Sequence, residues 1–390
     1  MKHLVSGTVL TAIAAMASMS PATAEDLTLG FSMAKTGPFV SLTITNEIAV
    51  DMAVEKINAS GGVDGKKIKL VKFDTGGDPK QASISVSRFA KDDSALGVIG
   101  PFSSSECRVA FPAGERLKIP QIAIASAAPN LSKPFAYGFR NSINEGAIIG
   151  SVMKALQDKG LPAKTAAIAH ATDDVVSKAI GTKVLPPLFE QYGIEQKKTV
   201  TFQYKAFDVS TQVSQIKAEN VDLVGLGSPP EAALKLAKEL QRQEVDVRLI
   251  AGTPAADPDL PKRMDGAGQR MTIGATFFGG YDESTKSFSE AFAERAKAAG
   301  ISRTEPNMYD VNAYQIAMIY AEVMRRAKVT GEPSKVAAER AAIQAELAKL
   351  KDFPTLAGEV SFNSDGDALK PIYVMEIVGR EWELRGVYNP

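Results

Sequence analysis

Residues 97–108 read GVIGPFSSSECR, a short apolar run that ends in Gly-Pro and is followed by Phe102, three serines and a segment able to form a helix. This order predicts a buried strand, a tight turn and a helix N-terminus. The first backbone N–H groups of a helix have no intrahelical partners and carry partial positive charge. Ser103 and Ser104 are therefore candidates for holding an anion such as a carboxylate. The alternative is an ordinary helix capped by serine.

The same order of strand and helix extends on both sides of this stretch. Asp78-Pro79 predicts the start of a helix, with aspartate as the N-cap and proline at the first helical position. In this first series we predict strands at 26–32, 67–74, 96–100 and 119–124, and helices at 41–59, 79–91 and from the serine run to about 118. Because strand and helix alternate, the fold class is α/β, with a parallel sheet that helices cover.

A second series of the same kind begins near Asn144. Its predicted strands are 165–170, 199–204, 221–227, 247–251 and 271–278, with helices through 192, near 213–216 and at 230–243. Long helices at 284–299, 307–328 and 335–350 and three short β segments at 358–362, 372–377 and 382–387 follow. The chain therefore contains two similar α/β units, and no Pro/Gly/Ser-rich linker separates them.

Composition limits the function. The 390 residues exceed what one hydrophobic core usually serves, so two domains are expected. Lys and Arg number 45 and so do Asp and Glu, a balance that gives no basic field for nucleic acid. The single cysteine, Cys107, excludes an internal disulfide, and two histidines are too few for a histidine-based metal site. We expect neither a metal nor a cofactor.

The N-terminus predicts a cleaved secretory signal peptide at residues 1–24. A short basic start precedes a mostly apolar run, and Ala22-Thr23-Ala24 supplies an Ala-x-Ala cleavage site. The alternative, a transmembrane helix, fits a run this short and interrupted less well. We therefore expect an exported chain that is not embedded in the membrane, with a bacterial periplasm as its location.

Ligands of open α/β sheets bind beyond the carboxyl ends of the strands. The loops at these ends are rich in small residues, hydroxyls and phenylalanine, and they lack the groups of acids, histidines and basic side chains that catalysis usually needs. His170 ends a strand without a nucleophile beside it, and Asp173-Asp174 is an acidic pair that can cap the next helix or receive a cation. The serine run lacks the Gly-x-Ser-x-Gly elbow of serine hydrolases. A binding protein is therefore favoured over an enzyme.

Several motifs together resemble the branched-chain amino-acid type of periplasmic binding protein. They are Ile57-Asn58-Ala59-Ser60-Gly61-Gly62-Val63-Asp64-Gly65-Lys66-Lys67-Ile68, Asp78-Pro79-Lys80-Gln81-Ala82, Gly100-Pro101-Phe102-Ser103-Ser104, Tyr309-Asp310-Val311-Asn312-Ala313-Tyr314 and the ending Gly358-Glu359-Val360-Ser361-Phe362 with Gly366-Asp367. The resemblance covers nearly the whole mature chain. It implies a type I periplasmic binding fold, with two lobes of parallel sheet flanked by helices and three hinge crossings. The implied boundaries are 25–143 plus 273–355 for lobe 1 and 144–272 plus 356–390 for lobe 2.

The resemblance also implies a site. The family's serine at Ser104 holds the ligand carboxylate, the carbonyl at Ala125 meets the ligand ammonium, and Ala127 stands where a threonine is common. Val175 and Ser228 replace aromatic residues, and Pro254 replaces the acid that receives an α-ammonium. The candidate ligand-binding residues are Phe39, Phe102, Ser103, Ser104, Ala125, Ser126, Ala127, Thr172, Asp173, Val175, Ser228, Thr253 and Phe278.

These substitutions predict the ligand. The carboxylate end of the site is kept, whereas the ammonium end is lost unless Asp173 or another acid replaces it, because a buried ammonium without a partner costs several kcal/mol. The leading hypothesis is a small aromatic or apolar acid without an α-amino group. A branched-chain amino acid is the alternative ligand, and a ligand sensor of the same fold is the alternative function. The resemblance implies a monomer that delivers its ligand to an inner-membrane ABC permease.

Overall fold

The computed structural model describes Met1 and residues 26–389, so the predicted signal peptide lies outside the described residues apart from Met1. The first sheet is parallel, with strand order β2-β1-β3-β4-β5. Its strands are β1 (Leu27–Met33), β2 (Ile68–Asp74), β3 (Gly97–Ile99), β4 (Gln121–Ala123) and β5 (Gly138–Arg140). β5 was not predicted, because its three residues give too short a pattern in the sequence.

Seven α-helices pack around this sheet. They are α1 (Val40–Thr43), α2 (Asn46–Ala59), α3 (Pro79–Lys91), α4 (Ser104–Leu117), α11 (Glu283–Ala298), α12 (Met308–Arg326) and α13 (Val336–Ala348). Asp78 caps α3 by accepting the Gln81 N–H at 2.9 Å, as its sequence predicts. The predicted helix 41–59 is divided, because a break at Ile44 and Thr45 separates α1 from α2.

The second sheet has seven strands in the order β15-β14-β10-β9-β8-β6-β7. They are β6 (Thr165–Ala171), β7 (Glu195–Phe202), β8 (Leu223–Gly227), β9 (Arg248–Ala251), β10 (Thr272–Ala275), β14 (Ile372–Val378) and β15 (Glu381–Tyr388). Five strands run parallel, but β14 pairs antiparallel with β10 and β15 antiparallel with β14. This sheet is therefore parallel with a hairpin added at one edge, since Gly379 and Arg380 turn the chain straight back.

The helices on the second sheet are shorter and less regular. They are α5 (Glu145–Asp158), α6 (Val175–Ala179), α7 (Leu185–Gln191), α8 (Ser210–Glu219), α9 (Pro230–Arg242) and α10 (Leu260–Met264). A π-helical turn at Ile180–Val184 joins α6 to α7, and a 3₁₀ turn at Thr253–Ala255 follows β9. The single helix predicted up to 192 is thus made of three pieces.

Two of the implied lobe boundaries fall at or beside paired strands. The boundary at 272/273 falls inside β10, whose partners β9 and β14 both belong to the second sheet. The boundary at 355/356 falls within a small antiparallel sheet of β11 (Phe353–Thr355), β12 (Gly358–Phe362) and β13 (Ala368–Leu369). This small sheet lies against β5, where Arg140 pairs with Asp367. Because of this pairing, we propose crossings after Ala275 and after Leu369.

We call the first sheet, its seven helices and the small sheet the first lobe, and the second sheet with α5–α10 the second lobe. Buried apolar side chains fill both, and Tyr320 of α12 shows how closely they pack. Its hydroxyl donates to the Pro120 carbonyl at 3.0 Å, and its ring passes so close to β3 that a Cβ at Gly97 would lie 2.4 Å from it. Within the described part of the chain, every helix is too short or too polar to cross a membrane.

Candidate functional site

The turn between β3 and α4 has a backbone that only glycine permits. Gly100 has φ +106°, and a Cβ there would lie 2.3 Å from the Ser32 carbonyl oxygen. After the turn, Ser103 is the N-cap of α4 and forms a capping box with Glu106. The Ser103 N–H and hydroxyl donate to Glu106 Oε2 at 2.8 and 2.7 Å. The Ser103 side chain is therefore occupied in holding the helix end together.

Glu106 is itself fully buried and also receives the Thr75 hydroxyl at 2.5 Å. Burial raises the pKa of this carboxyl, and the hydrogen bonds from Ser103 and Thr75 oppose that shift. The group is thus a structural part of the helix end, placed behind the serines.

Ser104 is the first helical residue, and its side chain is less constrained. Its oxygen lies 3.3 Å from Ser126 Oγ and accepts the Ala128 N–H at 3.3 Å. Both bonds are long, so this hydroxyl can reorient toward a ligand at small cost. The N–H groups of the first helical turn also lack intrahelical acceptors. The Ser104 hydroxyl is therefore the polar side-chain group of this helix end that is free to turn into the cavity.

Three aromatic rings stand beside the serines. The Phe39 and Phe102 centroids are 5.5 Å apart, and Phe102 meets Tyr309 of α12 edge-on at 5.3 Å. Leu42 completes this side of a cavity of about 40 Å³ between the lobes. The first lobe thus gives the cavity an apolar, mostly aromatic wall with a polar helix end within it.

The second lobe closes the cavity from the other side with residues that follow its strands. They are Asp174, Val176, Pro229, Thr253 and Pro254. Asp174 is the N-cap of α6 and accepts the Ser177 N–H at 2.7 Å, which confirms the capping interpretation of the acidic pair. Of the described residues that line the cavity, Asp174 is the one with a carboxylate side chain.

Glu145 lies directly behind Thr253. Its fully buried carboxylate accepts the Thr253 N–H at 3.1 Å and also the Thr253 hydroxyl. Burial raises the pKa of Glu145 to about 7, while the Thr253 hydrogen bonds oppose the shift. The Thr253 carbonyl in turn accepts the Tyr309 hydroxyl at 2.6 Å, a hydrogen bond that joins the second lobe to α12 of the first.

Six of the predicted residues meet at this cavity: Phe39, Phe102, Ser103, Ser104, Ala125 and Thr253. Ser126 and Ala127 are fully buried behind it. Thr172 and Asp173 are exposed, and Asp173 accepts the Tyr204 N–H at 2.9 Å, so it faces the end of β7.

The remaining three predicted residues do not line the cavity. Val175 and Ser228 each immediately precede a lining residue, and the Ser228 hydroxyl donates to the Pro229 carbonyl at 2.8 Å. Phe278 lines a separate cavity of about 370 Å³, together with Met308 and Trp382.

Part of the lining was not among the predicted ligand-binding residues. These lining residues are Leu42, Asp174, Val176, Pro229, Pro254 and Tyr309. A signal existed for Tyr309, since it opens one of the motifs quoted above and begins a long helix. No pattern in the sequence marked Glu145, whose link to the cavity is its hydrogen bonds with Thr253.

The arrangement is suited to binding. His170 is buried, with Nδ1 3.1 Å from the Ala171 carbonyl, and Cys107 is fully buried, so that desolvation raises the pKa of its thiol. Across residues 26–389, no three His, Cys, Asp or Glu side chains are grouped so that they could hold a metal ion. What the cavity offers is hydroxyls, helix N–H groups, one carboxylate and aromatic faces.

A family model described as periplasmic binding protein matches residues 26–381. An "Amino acid binding protein" of Pseudomonas aeruginosa is 25% identical over 391 residues, which cover 98% of this chain and 97% of that protein. A "Leu/Ile/Val-binding protein homolog 1" of Brucella abortus is 26% identical over 409 residues, covering 100% of this chain and 98% of its own length.

Solved structures show the same fold. The branched-chain amino acid transporter substrate binding protein LivJ of Streptococcus pneumoniae, in complex with isoleucine, superposes with a TM-score of 0.80 at 20% identity, covering 94% of this chain and 100% of that one. An ABC transporter solute binding protein of R. palustris, in complex with 4-hydroxybenzoate, superposes with a TM-score of 0.79 at 18% identity, covering 93% of this chain and 97% of that one. The type I fold expected from the motifs is therefore confirmed.

Proposed function

The chain belongs to the periplasmic binding protein family, and from this premise we propose that it captures a small carboxylate between its two lobes and delivers it to an ABC importer of the inner membrane. One observation carries the proposal. The first turn of α4, with Ser104, faces a cavity that both lobes line and that aromatic side chains surround on one side.

The carboxylate end of the ligand is assigned to α4. A helix of 14 residues presents N–H groups and the positive end of its dipole to the cavity. The Ser104 hydroxyl adds a donor that is held only by long contacts. Hydrogen bonds to a charged group contribute about 1.5–3 kcal/mol each, so this end of the site favours an anion.

The body of the ligand is assigned to the aromatic wall. Phe39, Phe102 and Tyr309 provide ring faces and edges against which an aromatic or branched apolar group packs. Pro254, at the position where the family carries an acid for an α-ammonium, lines the cavity with an apolar ring. Both features support an acid that lacks an α-amino group as the leading ligand class.

A branched-chain amino acid is the second candidate, and Asp174 favours it. This carboxylate lines the cavity on the lobe opposite α4, where an ammonium would need a partner. One of its oxygens already accepts the Ser177 N–H, so it would serve as cap and ligand group at once.

Capture requires that the lobes move. Phe102, Ser103 and Ser104 are all buried, so a ligand reaches them only when the lobes separate. We propose that the three passages between the sheets are the hinge and that the ligand selects the closed form through its higher affinity for that form. The permease would then recognise the closed monomer.

A binding panel tests the proposal. Benzoate, 4-hydroxybenzoate, leucine and isoleucine are compared by thermal shift and then by isothermal titration, since a specific ligand raises the melting temperature by mass action. We expect micromolar or tighter binding of an aromatic acid, retained or improved in Asp174→Asn. If isoleucine binds instead and Asp174→Asn abolishes its binding, the second candidate is correct. If none binds, the proposed ligand class is wrong.

A further inference from the structure

Glu145 is a buried acid without a cationic partner. It is the first residue of α5, it is fully buried, and among residues 26–389 no lysine or arginine lies within ion-pair distance of it. A Cβ at Gly252 would lie 2.5 Å from Glu145 Oε2, so the backbone of Gly252 packs closely against the carboxyl group. Since an ionised carboxylate is costly to bury, this group holds its proton to a higher pH than an exposed glutamate.

Its position links it to the ligand cavity. Thr253 donates both its N–H and its hydroxyl to Glu145, and the same residue lines the cavity and accepts the Tyr309 hydroxyl from the other lobe. Glu145 is therefore separated from a bound ligand by a single residue. Any charge that enters the cavity acts on it through a region of low dielectric constant.

The charged and titratable groups around Glu145 come from three other elements. Asp174, the N-cap of α6, disfavours the ionised form of Glu145, whereas Arg140 of β5 favours it. Burial, and to a smaller extent Glu145 itself, raises the pKa of the Tyr309 phenol of α12, so this group is uncharged. The Arg140 guanidinium is already paired with Asp367, with 2.6 Å between Nη2 and Oδ2. Because Arg140 is already paired with Asp367, a charge that enters the cavity adds to the field at Glu145 without a nearby free cation among the described residues to offset it.

We propose that Glu145 is a proton-exchange site linked to ligand capture: it takes up a proton when the captured ligand is an anion and releases one when the ligand brings an ammonium group. This proposal rests on the proposed function of the cavity. An anion adds a second negative charge near a carboxylate that already lacks a cation, so protonation relieves the repulsion. A zwitterion places its ammonium toward the acidic wall and has the opposite effect.

Titration calorimetry in two buffers of different ionisation enthalpy, phosphate and Tris, counts the protons exchanged near pH 7. With benzoate we expect net proton uptake and an affinity that falls as the pH rises from 6 to 8, by up to about tenfold per pH unit. Glu145→Gln keeps the shape of the side chain, and it should bind with no proton exchange and little pH dependence. His170→Gln is the control for the buried imidazole of the same lobe, and it should retain the exchange.

The outcomes are separable from those of the proposed function. Ligand binding without proton exchange, or exchange that survives in Glu145→Gln, overturns the inference. Isoleucine binding with proton release that Glu145→Gln removes upholds it and changes only the ligand class. If neither ligand binds, the proposed function fails, and carboxyl ¹³C NMR of the free protein decides: a Glu145 midpoint near neutrality upholds the proton site, and complete ionisation below pH 5 overturns it.

Discussion

The two walls of the cleft face the same cavity, but they are built differently. On the first lobe, one strand–turn–helix unit supplies the polar groups, and a capping box and a glycine of positive φ fix its backbone. On the second lobe, separate loops after β6, β8 and β9 supply the wall, with two prolines and a five-residue helix. The polar part of the first wall is thus one continuous segment, whereas the second wall is assembled from three separate segments.

Their electrostatics differ as well. The first wall presents hydroxyls and helix N–H groups, which favour negative charge. The second carries Asp174, with Glu145 behind Thr253, and no basic side chain lines the cavity within the described part of the chain. A ligand therefore meets an anion-binding wall on one side and an acidic wall on the other. Under the proposed function, the first wall binds the ligand carboxylate, and the second wall limits which other groups fit.

The largest effect should come from the aromatic wall. Phe102→Ala removes a ring that packs between Phe39 and Tyr309 and is only 2% exposed, and we expect a loss of about 3–5 kcal/mol in the free energy of unfolding. Val176→Ala on the second lobe should cost about 1–2 kcal/mol. Urea denaturation of both variants measures the difference, and equal losses would contradict the close packing of the Phe102 ring in the first wall.

The acidic wall should make stability depend on pH. Burial raises the pKa of Glu145 from an ordinary 4.5 to about 7 in the folded protein. Between these values the folded state binds more protons than the unfolded state, so stability falls as the pH rises from about 4.5 to 7, by about 3 kcal/mol in total, and this contribution is constant above that range.

Glu145→Gln isolates this effect. The variant keeps the other titrating groups, so the difference in unfolding free energy between wild type and variant, measured by urea denaturation from pH 5 to pH 8, should change by about 2–3 kcal/mol in favour of the variant. If the unfolding free energies of wild type and Glu145→Gln change in parallel across this range, ionisation of Glu145 does not destabilise the folded state.

The first wall was largely predictable from sequence, since its signals are local. An apolar run, Gly100, and a serine followed three residues later by Glu106 specify strand, turn and capped helix without reference to the rest of the chain. Phe102 and Ser104 follow from the register of that one unit, and both line the cavity. What the sequence did not provide was that the Ser103 hydroxyl is committed to the capping box.

On the second wall, the cavity lining lies one residue beyond three of the predicted positions. Asp173, Val175 and Ser228 each immediately precede a lining residue: Asp174, Val176 and Pro229. Asp173 and Ser228 lie in loops and Val175 begins the short helix α6, and tertiary packing sets which of these neighbours faces the cavity. The π-helical turn at Ile180–Val184 also interrupts the regular helix that a periodic pattern assumes. Glu145 and Tyr309 reach the site from distant segments, which no local pattern reveals.

The two serines of the first wall should separate by function. Ser104→Ala is expected to weaken carboxylate binding by about 1–3 kcal/mol, because a bound anion loses a hydrogen bond. Ser103→Ala should cost about 1 kcal/mol of stability through loss of the N-cap while changing affinity less. Calorimetric titration and urea denaturation of both variants test this, and an unchanged affinity in Ser104→Ala would remove that serine from the site.

The smallest effect concerns the contact that joins the walls. The Tyr309 hydroxyl donates to the Thr253 carbonyl at 2.6 Å, and this bond exists only while the lobes are together. Tyr309→Phe keeps the ring against Phe102 and removes the bond, so closure should lose about 0.5–1.5 kcal/mol. Since the open form is unaffected, the loss should appear as ligand dissociation about 2–10-fold faster, with an association rate close to wild type.

Tyr320→Phe is the matched control, because its hydroxyl bonds only Val98 and Pro120 of the first lobe. It should lower stability and leave dissociation unchanged, whereas equal dissociation rates in the two variants would mean that Tyr309 does not hold the lobes together.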